Sequence, residues 1–169
     1  IVGMEAGGHP GQNPHPAHVV FTDARRHLRA PLAVGGAIGT GSQILAALAL
    51  GAGAAVIGTR LLAADEIWAH PAYKARLMRT GIDGTGTALG RLGATWRVLD
   101  NATLREVQAI EAQPGVRFDD FGPLVRGRYG RVHAYAGGDP DRGMLSCSAA
   151  VGFIEKTAPA AEIVGELIA

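Results

Sequence analysis

Only one of the 169 residues is a cysteine, Cys147, so the chain has no intrachain disulfide. The absence of disulfides points to a reducing, cytoplasmic setting. A lone cysteine of this kind reads as a small buried apolar residue. Aromatic residues make up 5% of the chain, too few to build a core from large rings. Charge of either sign is scarce: 16 Lys and Arg stand against 15 Asp and Glu, for a formal net charge of +1. That balance gives no electrostatic footprint for nucleic acid or for an anionic membrane surface. No apolar run reaches the ~20 residues of a membrane-spanning helix. The longest, Ile44 to Ile57, is broken by Gly51 and Gly53.

What the chain does have is glycine, 25 residues of it, and a hydrophobic fraction of 47%. Short apolar runs alternate with glycine turns and helical stretches. Ile1–Met4 reads as the tail of a strand already entering a glycine loop, which suggests a fragment or a missing first part. A loop over 5–16 follows, then a helix over 17–28 that ends before Pro31. Leu32–Val34 has strand length and closes on Gly35-Gly36. Residues 42–50 predict a helix, with Ile44, Leu45 and Leu48 on one face and Gly51 at its end. The next strand is 54–57, closed by Gly58-Thr59. Units of this length argue for parallel strands joined by helical crossovers.

Beyond Thr59 the pattern weakens. A short helix is expected over 72–79, a loop over the glycine-rich stretch 81–93, and a strand over 95–99. Asn101 or Thr103 caps a helix that runs to about 112. Residues 118–135 show no clear period. Residues 144–155 read as an apolar helix, and Thr157 as the cap of a last helix over 158–168. Asp65-Glu66 are expected near a helix start, where acids favour the dipole. Lys74 and Arg76 are expected on a solvated face, and Trp68, Tyr73 and Trp96 as packing residues.

Three constellations carry chemistry. Gly3-Met4-Glu5-Ala6-Gly7-Gly8-His9-Pro10-Gly11 follows a strand, and its glycines let the backbone approach a ligand. His9 then stands at a strand's C-terminal end, where parallel α/β folds build their sites, and its imidazole takes a proton near neutral pH. The second is Val34 to Gly41, a strand end leading into a helix, with exposed amides suited to phosphate and hydroxyls from Thr40 or Ser42 to add. The third is Val56-Ile57-Gly58-Thr59-Arg60. A dinucleotide fingerprint needs G-x-G-x-x-G and an acid about 20 residues on. Gly36, Gly39 and Gly41 are spaced differently, and position 56 is Val. His9, His15 and His18 share a Pro-rich loop without a neighbouring Cys or carboxylate at ligand spacing, so no metal is expected.

Taken together, the string at 3–9, Pro31 to Gly41, Ala46 to Ala52 and Gly58-Thr59-Arg60 resemble the nitronate monooxygenase (2-nitropropane dioxygenase) family. They also resemble its sister, the flavin-dependent enoyl-ACP reductases. Tyr73-Lys74, Arg97 to Asn101 and the segment from Gly143 to Ile168 look similar as well. The likeness is densest over 1–74. It implies an α/β fold of the (β/α)8 TIM-barrel type, present as its C-terminal part of about three barrel strands with a helical appendage. Residues 1–169 would form one partial FMN-binding domain. Within it, 1–62 would hold the last β/α units with the flavin and phosphate loops, 63–142 a helical or irregular excursion, and 143–169 the C-terminal helices.

The resemblance further implies FMN as cofactor, lined by Gly7 and Gly8, with its phosphate on Gly36, Ala37, Gly58 and Thr59. His9 matches the family's catalytic base. The implied reaction is oxidation of alkyl nitronates, from nitroalkanes, with O2. The alternatives are an NAD(P)H-dependent enoyl-ACP reductase, or an inactive fragment or split half-barrel. The last would need a homo-oligomer or a partner chain to supply strands. The sequence departs from the family pattern at Ala37, where a second Gly is usual, and at Ser148-Ala149, where Gly-Gln is common.

Overall fold

The computed structural model describes residues 1–169. Strands β1 (Ala33–Gly35) and β2 (Ala54–Val56) are parallel, paired from Ala33 with Ala54 to Gly35 with Val56. Val2 adds a parallel bridge to Gly35 on the other side. Three chain segments therefore run side by side in one direction, and their C-terminal ends are neighbours. Helix α1 (Ala17–His27) precedes β1, and α2 (Gly41–Ala49) crosses from β1 to β2. Phe21, Val34, Ile38 and Ala47 form the buried contact between these helices and the strands.

The starts of both helices are satisfied by side chains. Pro16 cannot cap α1, so the Glu5 carboxylate accepts from the Ala17 amide at 2.9 Å. At α2, Thr40 Oγ1 accepts from the Gln43 amide while Gln43 accepts from the Thr40 amide, a reciprocal capping box.

The second half holds more strand than expected. After α3 (Pro71–Met78), β3 (Thr85–Ala88) lies within the expected glycine loop and pairs antiparallel with β4 (Trp96–Leu99). Thr-Gly-Thr-Ala carries no apolar alternation, so its strand form comes from β4 rather than from its own preference. At Gly86 a Cβ would stand 2.7 Å from a Leu104 methyl, so glycine lets α4 (Ala102–Glu111) pack on the hairpin. Asn101 caps α4 as expected, accepting from the Leu104 amide at 2.9 Å. Its Nδ2 donates to the Pro140 and Gly143 carbonyls and ties in the following loop. Residues 118–135, without period, form a turn at Phe118–Phe121, the short α5 (Gly127–Gly130) and a π turn over Arg131–Ala136.

The closing segment corrects two expectations, and α3 a third. Met144–Glu155 is not a helix: Leu145 accepts from the Leu99 amide, Ser146 bridges Val98, and only Ala149–Phe153 coils. An apolar run of this kind suits a buried strand as well as a helix, and pairing with β4 decides. Thr157 does not cap α6 (Ala160–Ile168). Glu66 does so from 94 residues away, both carboxylate oxygens accepting from the Ala160 amide. Lys74 and Arg76 are half-buried rather than solvated. Lys74 donates to the Ala64 carbonyl at 2.6 Å and Arg76 to that of Asp100 at 2.8 Å, their stems covering apolar surface on the way. No helix is long and apolar enough to cross a membrane.

Candidate functional site

The three parallel strand ends open onto one groove of about 310 Å3. Gly7 comes from the first, Gly36 and Ala37 from the second, and Gly58 and Thr59 from the third. Ser146, Cys147 and Ser148 close the far wall, and no charged residue lines it. The amides of Gly36, Ala37 and Gly58 donate to no acceptor within the chain. Next to them, Gln43 takes up the amides of Gly39 and Thr40. Thr40 and Ser42, expected to add hydroxyls here, do not line the groove, because the capping box of α2 engages Thr40.

Thr59 is better placed. Its Oγ1 accepts from both the amide and the hydroxyl of Ser148, each at 3.0 Å. With its lone pairs engaged, its own O–H proton is left to donate. Ser148 thereby fixes the Thr59 rotamer.

The backbone of the second loop is strained. Gly36 has φ 138° and Ala37 has φ 50°, the left-handed region that costs a side-chain-bearing residue roughly 1–2 kcal/mol. Gly7 has a different reason to be glycine. A Cβ there would stand 2.6 Å from the Cys147 carbonyl carbon, so the loop's close approach is to its own chain.

Gly8 and His9 lie outside the lining of this groove and are held by β4. Gly8 and Arg97 exchange two backbone hydrogen bonds, at 2.9 and 2.7 Å, and Arg97 Nε donates to the Met4 carbonyl. His9 Nδ1 sits 3.2 Å from the Thr95 carbonyl oxygen. A carbonyl only accepts, so the neutral ring carries its proton on Nδ1 and leaves the Nε2 lone pair open. The ring packs on Trp96 at 4.8 Å between centroids, and Trp96 Nε1 donates to Ser146 Oγ in the groove wall at 2.8 Å. His9 is therefore linked to the groove through one indole.

The residues that orient His9, Thr95 and Trp96, lie 86 and 87 positions along the chain, in the expected strand over 95–99; Trp96 packs as expected, but its link to His9 was not foreseen. No short-range signal marks them. Arg60, next to Thr59, turns from the groove and pairs with Glu166 at 3.1 Å. Burial pushes the Cys147 thiol up to about 12, so it stays protonated at neutral pH and is no nucleophile. No three His, Cys, Asp or Glu side chains are grouped to hold a metal.

A family model described as nitronate monooxygenase matches residues 1–169. Among solved structures, FabK from Thermotoga maritima superimposes with a TM-score of 0.86 at 30% identity, over 98% of this chain and 51% of that one. A nitroalkane oxidase from Streptomyces ansochromogenes gives 0.77 at 27% identity, over 98% and 49%. The enoyl reductase domain of MlnA from Bacillus amyloliquefaciens, at 15% identity and a TM-score of 0.63, shares the fold. The chain thus spans about half the length of these structures, and its architecture is that of a partial (β/α)8-type barrel.

Proposed function

Since the chain belongs to the nitronate monooxygenase family, we propose that it forms the cofactor and proton-transfer part of an FMN-dependent oxidoreductase that oxidises alkyl nitronates with O2. The observation that carries this reading is the convergence of three strand-end turns, with unpartnered amides, on one uncharged groove.

The groove fits the phosphate of FMN. The amides of Gly36, Ala37 and Gly58 and the hydroxyl of Thr59 are donors without competing acceptors, and fixed dipoles of this kind hold an oxyanion without a lysine or arginine. Gly7 and Gly8 would then flank the ring system. Bound FMN would supply the electron acceptor of the reaction.

The chain's own residues move the proton. His9 Nε2 takes it from the carbon next to the nitro group of a neutral nitroalkane, which leaves a nitronate. The Thr95 carbonyl holds the tautomer that makes Nε2 the base, and Trp96 fixes the plane of the ring. Because the Cys147 thiol stays neutral, no thiolate competes as a base or nucleophile in the wall.

The test is reconstitution with FMN and comparison with His9→Ala. Turnover of a neutral nitroalkane should fall about 10²- to 10³-fold, as expected for loss of a positioned base. FMN binding and turnover of a preformed nitronate should change little. Equal turnover of the neutral substrate would remove His9 from the mechanism.

The 30% identity with FabK favours a second reading on the same scaffold, an enoyl thioester reductase. NAD(P)H-dependent flavin reduction coupled to an enoyl thioester would select it over the first.

A further inference from the structure

A second cleft, of about 560 Å3, opens where the end of α3, the turn into β3 and the start of α4 meet. It shares no lining residue with the groove. Its walls carry three guanidinium groups, Arg76, Arg79 and Arg105, against one carboxylate, Asp100. Arg105 pairs with Asp100 at 3.1 Å. Neither Arg76 nor Arg79 forms an ion pair. In a chain of net charge +1, two uncompensated guanidiniums in one concavity are a marked local excess.

Two of these side chains are already oriented. Arg76 donates from one terminal nitrogen to the Asp100 carbonyl at 2.8 Å, and Arg79 Nε donates to the Ala75 carbonyl at 3.2 Å. Each keeps further N–H groups for a ligand. Ala72 is the one hydrophobic residue in the lining; guanidiniums, a hydroxyl and glycine backbone supply its polar groups. Guanidinium forks match paired oxygens of a tetrahedral oxyanion. Its volume lies within the roughly 300–1,000 Å3 of small-molecule sites, and it is concave rather than a flat docking face.

We propose that this cleft binds the phosphoryl group of a phosphate-bearing small molecule. It does so independently of the groove at the strand ends, so the proposal stands whether or not that groove takes FMN. The phosphate comes either free, as a polyphosphate, or as the terminal group of a nucleotide-like molecule.

The test is calorimetric titration of the purified protein with inorganic pyrophosphate and, in a second arm, adenosine 3′,5′-bisphosphate, at low and physiological ionic strength. Saturable one-site binding is expected, weakened at least about tenfold in Arg79→Gln/Arg105→Gln, with salt dependence reduced. Tighter binding of the nucleotide would assign the tethered source, and equal binding the free one. Amide shift changes at Gly81 and Gly84 would locate the ligand, and Arg79→Gln alone serves if the double variant misfolds. Absence of binding, or binding unchanged in the variants, would overturn the proposal. Arginine-dependent binding of an acidic carrier protein without pyrophosphate binding would also overturn it, in favour of a macromolecular contact.

Discussion

The carbonyl oxygen of Thr95 stands 3.2 Å from Nδ1 of His9, and it is a main-chain atom, so no side-chain substitution at Thr95 removes it. The side chain at Thr95 is occupied elsewhere, with its hydroxyl accepting from Gln12. The His9 imidazole is thus oriented by the backbone just before strand β4. Ring ¹⁵N shifts of His9 should report the Nδ1–H tautomer in the neutral folded protein. An Nε2–H tautomer would contradict the assignment of Nε2 as base. Trp96→Ala should lower turnover of a neutral nitroalkane about tenfold or more and loosen the tautomer preference. Trp96→Phe, which keeps a ring but not the bond to Ser146, should retain most of both.

Gly58 and Gly7 separate ligand effects from chain effects. A Cβ on Gly58 meets no atom within 4 Å. Gly58→Ala should leave stability within about 0.5 kcal/mol yet weaken FMN binding about tenfold. Gly7→Ala forces a Cβ against the backbone of Cys147 and should cost about 1–3 kcal/mol in urea denaturation. Unchanged FMN affinity in Gly58→Ala would place the phosphate elsewhere.

Ala37 holds its positive φ at the cost of backbone strain. Ala37→Gly relieves that strain while giving the unfolded chain more freedom, so a net gain of about 0.5 kcal/mol is expected. Ala37→Val, β-branched at positive φ, should lose more than about 1 kcal/mol, the scale of such strain. Equal midpoints for all three would mean that the loop is not held in this conformation in solution.

Acid should release α6. The Glu66 carboxyl is held below its ordinary value by its own backbone N–H and by that of Ala160. A depressed folded value stabilises the protein above the unfolded value near about 4.3, and the contribution is lost as pH falls through the lower folded value. The exchange protection of the Ala160 amide, relative to its intrinsic rate at each pH, should therefore fall below about pH 4. Glu66→Gln should show low protection at neutral pH and little further loss of protection on acidification.

Cys147, buried with its thiol pushed up to about 12, should resist iodoacetamide at mildly alkaline pH and react only on unfolding. Rapid alkylation of the native protein would show the groove wall to be more open than its packing against Gly7 implies.

The parts legible in the sequence are those set by local chemistry. Two helices and their parallel strands fall within a residue or two of their expected bounds, and Asn101 caps α4 because a cap needs only its next three residues. That the turns at Gly7, Gly36-Ala37 and Gly58-Thr59 follow strands was legible because glycines at strand ends are short-range patterns; that they share one groove was not. What stayed hidden depends on partners far along the chain. β3 has no strand signature of its own, Leu145 and Ser146 are extended by pairing with β4, and Glu66 caps a helix that begins 94 residues later. The supports of His9 belong to the same class, since nothing near Thr95 or Trp96 announces an imidazole.

Helix α6 is fastened at both ends to the segment that follows Thr59: Glu66 holds its first turn and Arg60 its last, through Glu166. Clipping α6 away would strip the Arg60 guanidinium of its counter-ion in a site with almost no access to water, and an orphaned buried cation is costly. The turn that presents Thr59 would have to rearrange to hydrate it. The tail thus acts as ballast for the Gly58-Thr59 turn, and if that turn holds the FMN phosphate as proposed, its proteolysis should be felt first as lost flavin retention.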